Sequence, residues 1–223
     1  MEKHHLFTQI YETLYNAFGP CYWWPGDSPI EVSVGAILTQ NTAWKNVEKA
    51  IQNLKENDLL SVSALHAITE EELSQLIRSS GYFNQKARKI KAFIKVITEE
   101  FDGSLVSIKT LGLTPLRNKL LEIHGIGEET ADSIMLYALD MPSFVIDAYT
   151  RRIFSRHGLI NKSWTYGRIK EEFEQLLPSD VKLFNEYHAL IVRLGHLYCR
   201  KNPLKTLCQE CPLYLHLGDP VEL

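Results

Sequence analysis

Apolar residues recur at helical spacing through most of the chain. Phe7, Ile10, Tyr11, Leu14 and Phe18 fall on i, i+3, i+4 steps, as do Ile90, Phe93, Ile94 and Ile97, and again Phe184, Tyr187, Leu190, Ile191 and Leu194. Each set lays one apolar stripe along an amphipathic helix. Thr69-Glu70-Glu71-Glu72, ahead of Leu73, Leu76 and Ile77, has the form of a capping box, in which the Thr hydroxyl and the third Glu satisfy the first amides of a helix. Strand-like alternation is scarce. The pattern therefore predicts an all-α chain of about ten helices joined by short connectors.

The stripes are interrupted where glycine and proline cluster. Gly19-Pro20 ends the first helix, and Pro25-Gly26-Asp27-Ser28-Pro29 makes a rigid turn before the apolar run Val32 to Leu38. Met141-Pro142 breaks the chain again after a helix expected over Thr130 to Leu139. These breaks predict a central helical domain over residues 29–140. Residues 1–28 plus 141–223 would form a second helical lobe carrying the C-terminal cysteines.

Composition narrows the class. The chain has 223 residues, is 45% hydrophobic and carries a net charge of −3, as suits a globular protein with a substantial core. No apolar run approaches the ~18 residues of a membrane span, and no export signal is visible. A cytoplasmic monomer with no membrane partner is expected. If the partner is nucleic acid, the basic surface must be local. Four cysteines stand at 21, 199, 208 and 211; three of them close together in a chain without an export signal suggest a metal or iron–sulfur site before a disulfide scaffold.

Candidate chemistry centres on Leu121 to Arg152. Gly125-Ile126-Gly127 follows an apolar helix end and precedes another helix, a tight turn whose exposed amides make a small anion site with Ile126 as its anchor. By itself this could be a helix–helix turn with glycine caps. After the second helix, Phe144-Val145-Ile146 leads to Asp147 and then to Arg151 and Arg152. Asp is also a good helix N-cap, so its carboxylate has a structural reading as well.

Leu-x-x-x-Gly-Ile-Gly-x-x-Thr-Ala followed by Val-Ile-Asp-x-x-x-x-Arg resembles the helix-hairpin-helix signature of the endonuclease III superfamily of DNA glycosylases. Ala36 to Thr42 and Gly81 to Ala87 are similar to two further family segments, so the likeness runs over roughly residues 28 to 211. It implies two helical lobes with a DNA-binding cleft between them and double-stranded DNA containing a damaged base as the partner, which would place the protein at the nucleoid. Asp147 would be the catalytic carboxylate, stabilising an oxocarbenium-like sugar and orienting water once the base has left the stack. Gln40 would help fill the gap left by the extruded nucleotide, the hairpin residues Gly125, Ile126, Gly127 and Thr130 would grip a phosphate, and Arg151 and Lys86 would add DNA contacts. Family members that also cut the strand carry a lysine two residues after the second glycine. Glu129 stands there, which implies a monofunctional enzyme, although Lys45 or another amine leaves weak lyase activity open.

Tyr22-Trp23-Trp24-Pro25 and Trp44 are similar to the 3-methyladenine glycosylase branch. Trp23, Trp24, Pro25 and Trp44 are thus expected to line a base pocket, where a cationic alkylated purine gains about 1–2 kcal/mol from indole faces. Cys199, Cys208 and Cys211 resemble the family's iron–sulfur loop, but the first gap is longer and Leu217 takes the place of the fourth cysteine. The chemistry requires no cofactor, and a degenerate loop is favoured over an intact [4Fe–4S] cluster; in it Arg200, Lys201 and Lys205 would still touch DNA. The combined reading is a base-excision-repair glycosylase for alkylated purines. The alternatives are an endonuclease III-like glycosylase with lyase activity, a mismatch pyrimidine glycosylase and a non-catalytic DNA-binding module.

Overall fold

The computed structural model describes residues 3–202 and 205–221, and among these there are helices and loops but no strand. The chain divides into two compact units: one runs from Trp24 to Met141, and the other joins the segment ending at Trp23 to the segment beginning at Pro142.

The Trp24–Met141 unit is built on the helix Pro29–Leu38. Ser28 caps it, accepting from the Glu31 amide, and Pro29 sits in its first turn, where no amide is needed. Every residue from Ile30 to Leu38 is buried, because an apolar run without a polar face can only be a central helix. It packs against the helix Phe83–Glu100, whose Ile90, Phe93, Ile94 and Ile97 are all fully buried. Buried Glu31 is matched by Lys55, 2.8 Å away. The capping box forms as expected, with the Thr69 side chain on the Glu72 amide and the Glu72 carboxylate on the Thr69 amide.

One helix departs from expectation. Instead of a single helix over Thr130 to Leu139, the chain forms Glu128–Ser133 and then widens into a π-helical turn, Ile134–Ala138. The Leu139 amide reaches back to the Ile134 carbonyl at 3.1 Å and the Met141 amide to Met135 at 2.9 Å. The wider turn keeps every residue from Thr130 to Leu139 buried, a demand on packing that a 3.6-residue pattern does not reveal.

The other unit surrounds an aromatic core. Phe144 stacks on Phe173 at 4.4 Å, Phe7 meets Phe173 edge-on at 5.0 Å, and Tyr187, fully buried, donates its hydroxyl to the Phe7 carbonyl at 2.9 Å. Aromatic pairs of this kind contribute about 0.5–1.5 kcal/mol each beyond area burial. The helices Ala148–Arg156 and Val181–Leu197 approach closely at Gly195. A Cβ there would lie 3.0 Å from Tyr149 Cγ and closer still to Cδ1, so only glycine allows this crossing.

Candidate active site

Asp147 stands at the end of a rigid connector. Phe144, Val145 and Ile146 are buried; the Phe144 amide donates to Glu174 at 2.9 Å and the Ile146 amide to the Tyr166 hydroxyl at 3.2 Å. Two of the connector's amides are thus satisfied inside the unit, which helps hold the next residue in place. Asp147 caps the helix Ala148–Arg156, with Oδ1 accepting from both the Thr150 amide (2.7 Å) and the Thr150 hydroxyl (3.0 Å). Its other oxygen, Oδ2, faces His188 Nε2 at 3.7 Å. The capping and chemical readings are thus compatible, since each uses a different oxygen. Burial lowers the His188 pKa below its ordinary value, with the Asp147 charge opposing, and burial together with the same charge raises that of Tyr149. His188 lies on the stripe of Phe184 and Ile191, and a histidine in that apolar series was the signal available to find it.

The hairpin forms between the helices Leu113–Glu122 and Glu128–Ser133. Ile126 is 4% exposed and its amide closes the turn on the Ile123 carbonyl at 3.0 Å. The two glycines do different work. Gly125 has φ +83, and a Cβ there would lie 2.7 Å from Cδ and Cε of Lys89 and closer still to Cγ. Gly127 has φ −93, which any residue can adopt, and nothing lies within 4 Å of where its Cβ would stand. A glycine needed neither for conformation nor for internal space leaves the turn bare for something that approaches from outside. Thr130 is buried behind it.

Gln40, expected to help fill the gap left by an extruded nucleotide, is hydrogen-bonded to this hairpin. The helix ends at Leu38, and the Gln40 amide donates to the Gly125 carbonyl (3.2 Å) and Thr130 Oγ1 (2.9 Å), while its oxygen accepts from Lys89 Nζ at 2.5 Å. Both ends of the amide are engaged. The Lys89 stem packs on Gly125 and its ammonium steadies Gln40, a latch that the sequence reading missed because its members are far apart in the chain.

Several lysines and arginines are engaged inside their own units. Lys86, expected at the DNA surface, is 2% exposed and donates to the carbonyls of Leu38 (2.8 Å) and Ser80 (2.6 Å). It ties the central helix to the turn Arg78–Ser80, and burial, aided by Lys89, lowers its pKa to about 8. Lys91 caps three carbonyls, Leu65, His66 and Ile68, and Arg88 pairs with Glu70 at 2.9 Å. Arg151, half-buried, donates to the Trp164 carbonyl at 3.0 Å. For Lys86 and Lys91 the reason is shared: a long cation beside a helix end finds orphan carbonyls close by. The acidic start after Gly127 is likewise explained, since Arg117 contacts Glu128 at 3.3 Å and buried Asp132 at 2.9 Å.

Of the four base-pocket candidates, three share one hollow of about 180 Å³: Trp24, Pro25 and Trp44 line it with Glu48, Gln52 and Lys55. Trp24 meets Trp44 at a right angle with ring centroids 5.2 Å apart and also touches Tyr137 at 5.2 Å. The Trp44 indole N–H donates to Glu48 at 2.7 Å; this i, i+4 pair was legible in the sequence but was not recognised. Trp23 belongs to the other compact unit and does not line this hollow.

Cys199, Cys208 and Cys211 do converge, lining a cavity of about 20 Å³ with Arg156 and His157. The Arg156 guanidinium donates to Cys199 Sγ at 3.1 Å and to the carbonyls of Arg200 (2.7 Å) and Lys201 (3.0 Å). The fourth family position is Leu217, burial pushes the Cys211 thiol up to about 11, and Cys21 lies elsewhere, its amide on Glu186. Among the described residues no group of three or more ligands is arranged for a metal ion. The loop thus gathers three thiols and a guanidinium, one thiolate fewer than a four-cysteine cluster uses. The Lys205 side chain lies outside the described residues.

Comparisons with known proteins agree with this geometry. The family model for HhH-GPD superfamily base excision DNA repair proteins matches residues 34–179. A candidate DNA repair glycosylase of Methanocaldococcus jannaschii is 49% identical over 212 residues, 95% of each chain. Endonuclease III of Thermotoga maritima is 29% identical, covering 84% of this chain and 82% of its own. Among solved structures, the H. pylori 3-methyladenine DNA glycosylase bound to 1,N6-ethenoadenine is similar with TM-score 0.73 and 27% identity over 87% of this chain and 97% of that one. A non-covalent endonuclease III–DNA complex shares the fold with TM-score 0.80, at 21% identity over 97% and 95%. Two of these proteins, the M. jannaschii relative and the H. pylori enzyme, carry the name DNA glycosylase. With its hairpin, capping aspartate and all-helical units, the chain belongs to the HhH-GPD superfamily of base excision DNA repair proteins.

Proposed function

We propose that this glycosylase removes alkylated purines from double-stranded DNA and is monofunctional, leaving an abasic site. The observation that carries the substrate class is the hollow in which two indoles meet at a right angle beside the Glu48 carboxylate. A purine alkylated on the ring is cationic and already a good leaving group, so it needs no acid to protonate it. What it needs is a π face and negative charge, which attract it by about 1–2 kcal/mol. The carboxylate of Asp147 then stabilises positive charge developing on the sugar and orients the attacking water. The likeness to a 3-methyladenine glycosylase supports the same substrate class.

Monofunctionality rests on Glu129, which occupies the position of the family's Schiff-base lysine. A carboxylate cannot form an imine with the sugar. Lys86, whose lowered pKa would suit a nucleophile, is locked onto two carbonyls. Endonuclease III relatives keep the lyase reading as the second one.

The test is base release from methylated duplex DNA by the wild type and by Asp147→Asn, with strand breaks scored before and after alkali. Free methyladenine with breaks only after alkali, both lost in the variant, is the expected result. Breaks without alkali would establish the lyase reading, and release confined to oxidised pyrimidines or mismatched thymine would overturn the substrate class.

A further inference from the structure

We propose that His188 is the positioning residue of the catalytic carboxylate, its Nε2–H aimed at Asp147 Oδ2 so that this oxygen presents its lone pairs in one direction. The inference rests on the reading of Asp147 as catalytic and deepens it.

The geometry gives three reasons. First, the cap bonds both fall on Oδ1, 2.7 Å and 3.0 Å from Thr150. A carboxylate held by one oxygen still has a broad χ2, because a terminal sp³–sp² torsion has no sharp staggered wells. Something must hold the second oxygen if the site is to be preorganised. His188 Nε2, 3.7 Å from Oδ2, is placed to do so from a residue only 6% exposed. The separation is longer than a formed hydrogen bond, and catalytic contacts are often long before substrate arrives.

Second, the helix that carries His188 is registered on the helix that Asp147 caps. Gly195, two turns beyond His188 and on the same face, admits the Tyr149 ring against its backbone, and the Tyr149 hydroxyl meets His196 Nε2 at 2.9 Å. Sliding one helix on the other would break both contacts, so the histidine cannot drift from the aspartate.

Third, a neutral imidazole suits the task. Burial disfavours the imidazolium here, so a single proton sits on one ring nitrogen, and which one decides what the ring can do. On Nε2 it directs Oδ2 without neutralising the negative charge that the oxocarbenium-like sugar requires. A fixed cation in that place would cancel it.

The experiment combines a measurement that needs no substrate with one that does. Nitrogen-15 NMR at neutral pH should show His188 as the Nε2–H tautomer, with its resonance moved by Asp147→Asn. Single-turnover base release from methylated duplex DNA should fall ~10- to 100-fold in His188→Leu, the size of effect expected when a reacting group is misplaced by about 1 Å. The dissociation constant for the same duplex should be unchanged, and His188→Gln, whose amide can stand in for Nε2–H, should recover most of the rate. An Nδ1–H tautomer overturns the inference, as does a folded His188→Leu enzyme with wild-type rate, or a His188→Gln enzyme as slow as the leucine variant. Should His188→Leu fail to fold, the tautomer and the glutamine variant decide alone. If Asp147→Asn itself retains base release, the catalytic reading fails and this inference falls with it. Loss of release in Asp147→Asn beside full activity in His188→Leu refutes the positioning role only.

Discussion

Replacing each hairpin glycine by alanine separates what the turn does for the fold from what it does for DNA. At Gly125 the added Cβ meets two difficulties. With φ +83 the residue lies in the left-handed region, which costs an L-residue about 1–2 kcal/mol. The Cβ would also lie 2.7 Å from Lys89 Cδ and Cε, so the lysine stem must move and its bond to Gln40 is lost. A hydrogen bond to a charged group is worth about 1.5–3 kcal/mol, less where it is partly solvated as here, so about 1 kcal/mol is a fair share. Gly125→Ala should therefore destabilise by about 2–3 kcal/mol and lower Tm by roughly 4–12 °C for a chain of this size. At Gly127 neither difficulty exists: φ is −93 and the space around the Cβ is empty. The remaining cost is that of alanine at a helix N-cap, about 1 kcal/mol or less. If the turn receives a phosphate, however, the methyl group stands in its path, and Gly127→Ala should weaken duplex DNA binding by about tenfold or more, equivalent to 1.4 kcal/mol or above. Thermal melts and fluorescence anisotropy with a labelled duplex, run on both variants, give the four numbers. A Gly125→Ala protein that melts with the wild type would refute the strain argument, and a Gly127→Ala protein that binds DNA normally would refute the phosphate role.

Other changes separate structure from chemistry in the same way. Asp147→Asn keeps a good N-cap and should melt within about 0.5 kcal/mol of wild type, whereas Asp147→Ala should lose about 1 kcal/mol in a urea titration; equal stabilities would mean that Oδ1 does not cap. Glu129→Lys supplies the missing amine and should yield a borohydride-trapped adduct with DNA that the wild type does not form; no adduct would place the sugar out of its reach. Lys86 binds a proton less readily folded, with a pKa of about 8, than unfolded. Between about 8 and the ordinary lysine value near 10.4 the unfolded chain therefore holds more protons, and this group's contribution to stability should rise with pH across that window, measured against Lys86→Met by urea melts at several pH values. The opposite slope would mean that the two carbonyl bonds outweigh desolvation.

Much of this was legible in one dimension. The stripe of Ile90, Phe93, Ile94 and Ile97, the Thr69 capping box, and Ser28 before Pro29 are local patterns whose physics acts within a few residues, and each appears as read. The glycine hairpin and the capping aspartate were legible for the same reason. Lys86, Arg151 and Gln40 have internal partners that the sequence did not indicate, because a side chain's charge or amide says what it can bind, not which partner is nearest. A carbonyl 48 residues away bonds Lys86, and a turn 85 residues away bonds Gln40.

The sequence by itself determined most of the helices, their caps, the hairpin and the place of Asp147 at a helix start, since all follow from short-range periodicity and backbone chemistry. Tertiary structure alone decided which oxygen of Asp147 is used by its cap and which faces His188. It also decided that Gly125 serves the fold while Gly127 stays bare, and that three of four aromatic candidates share one hollow. These are matters of distance between segments far apart in the chain. Such distances are set by packing the whole core at once, and no local pattern contains them.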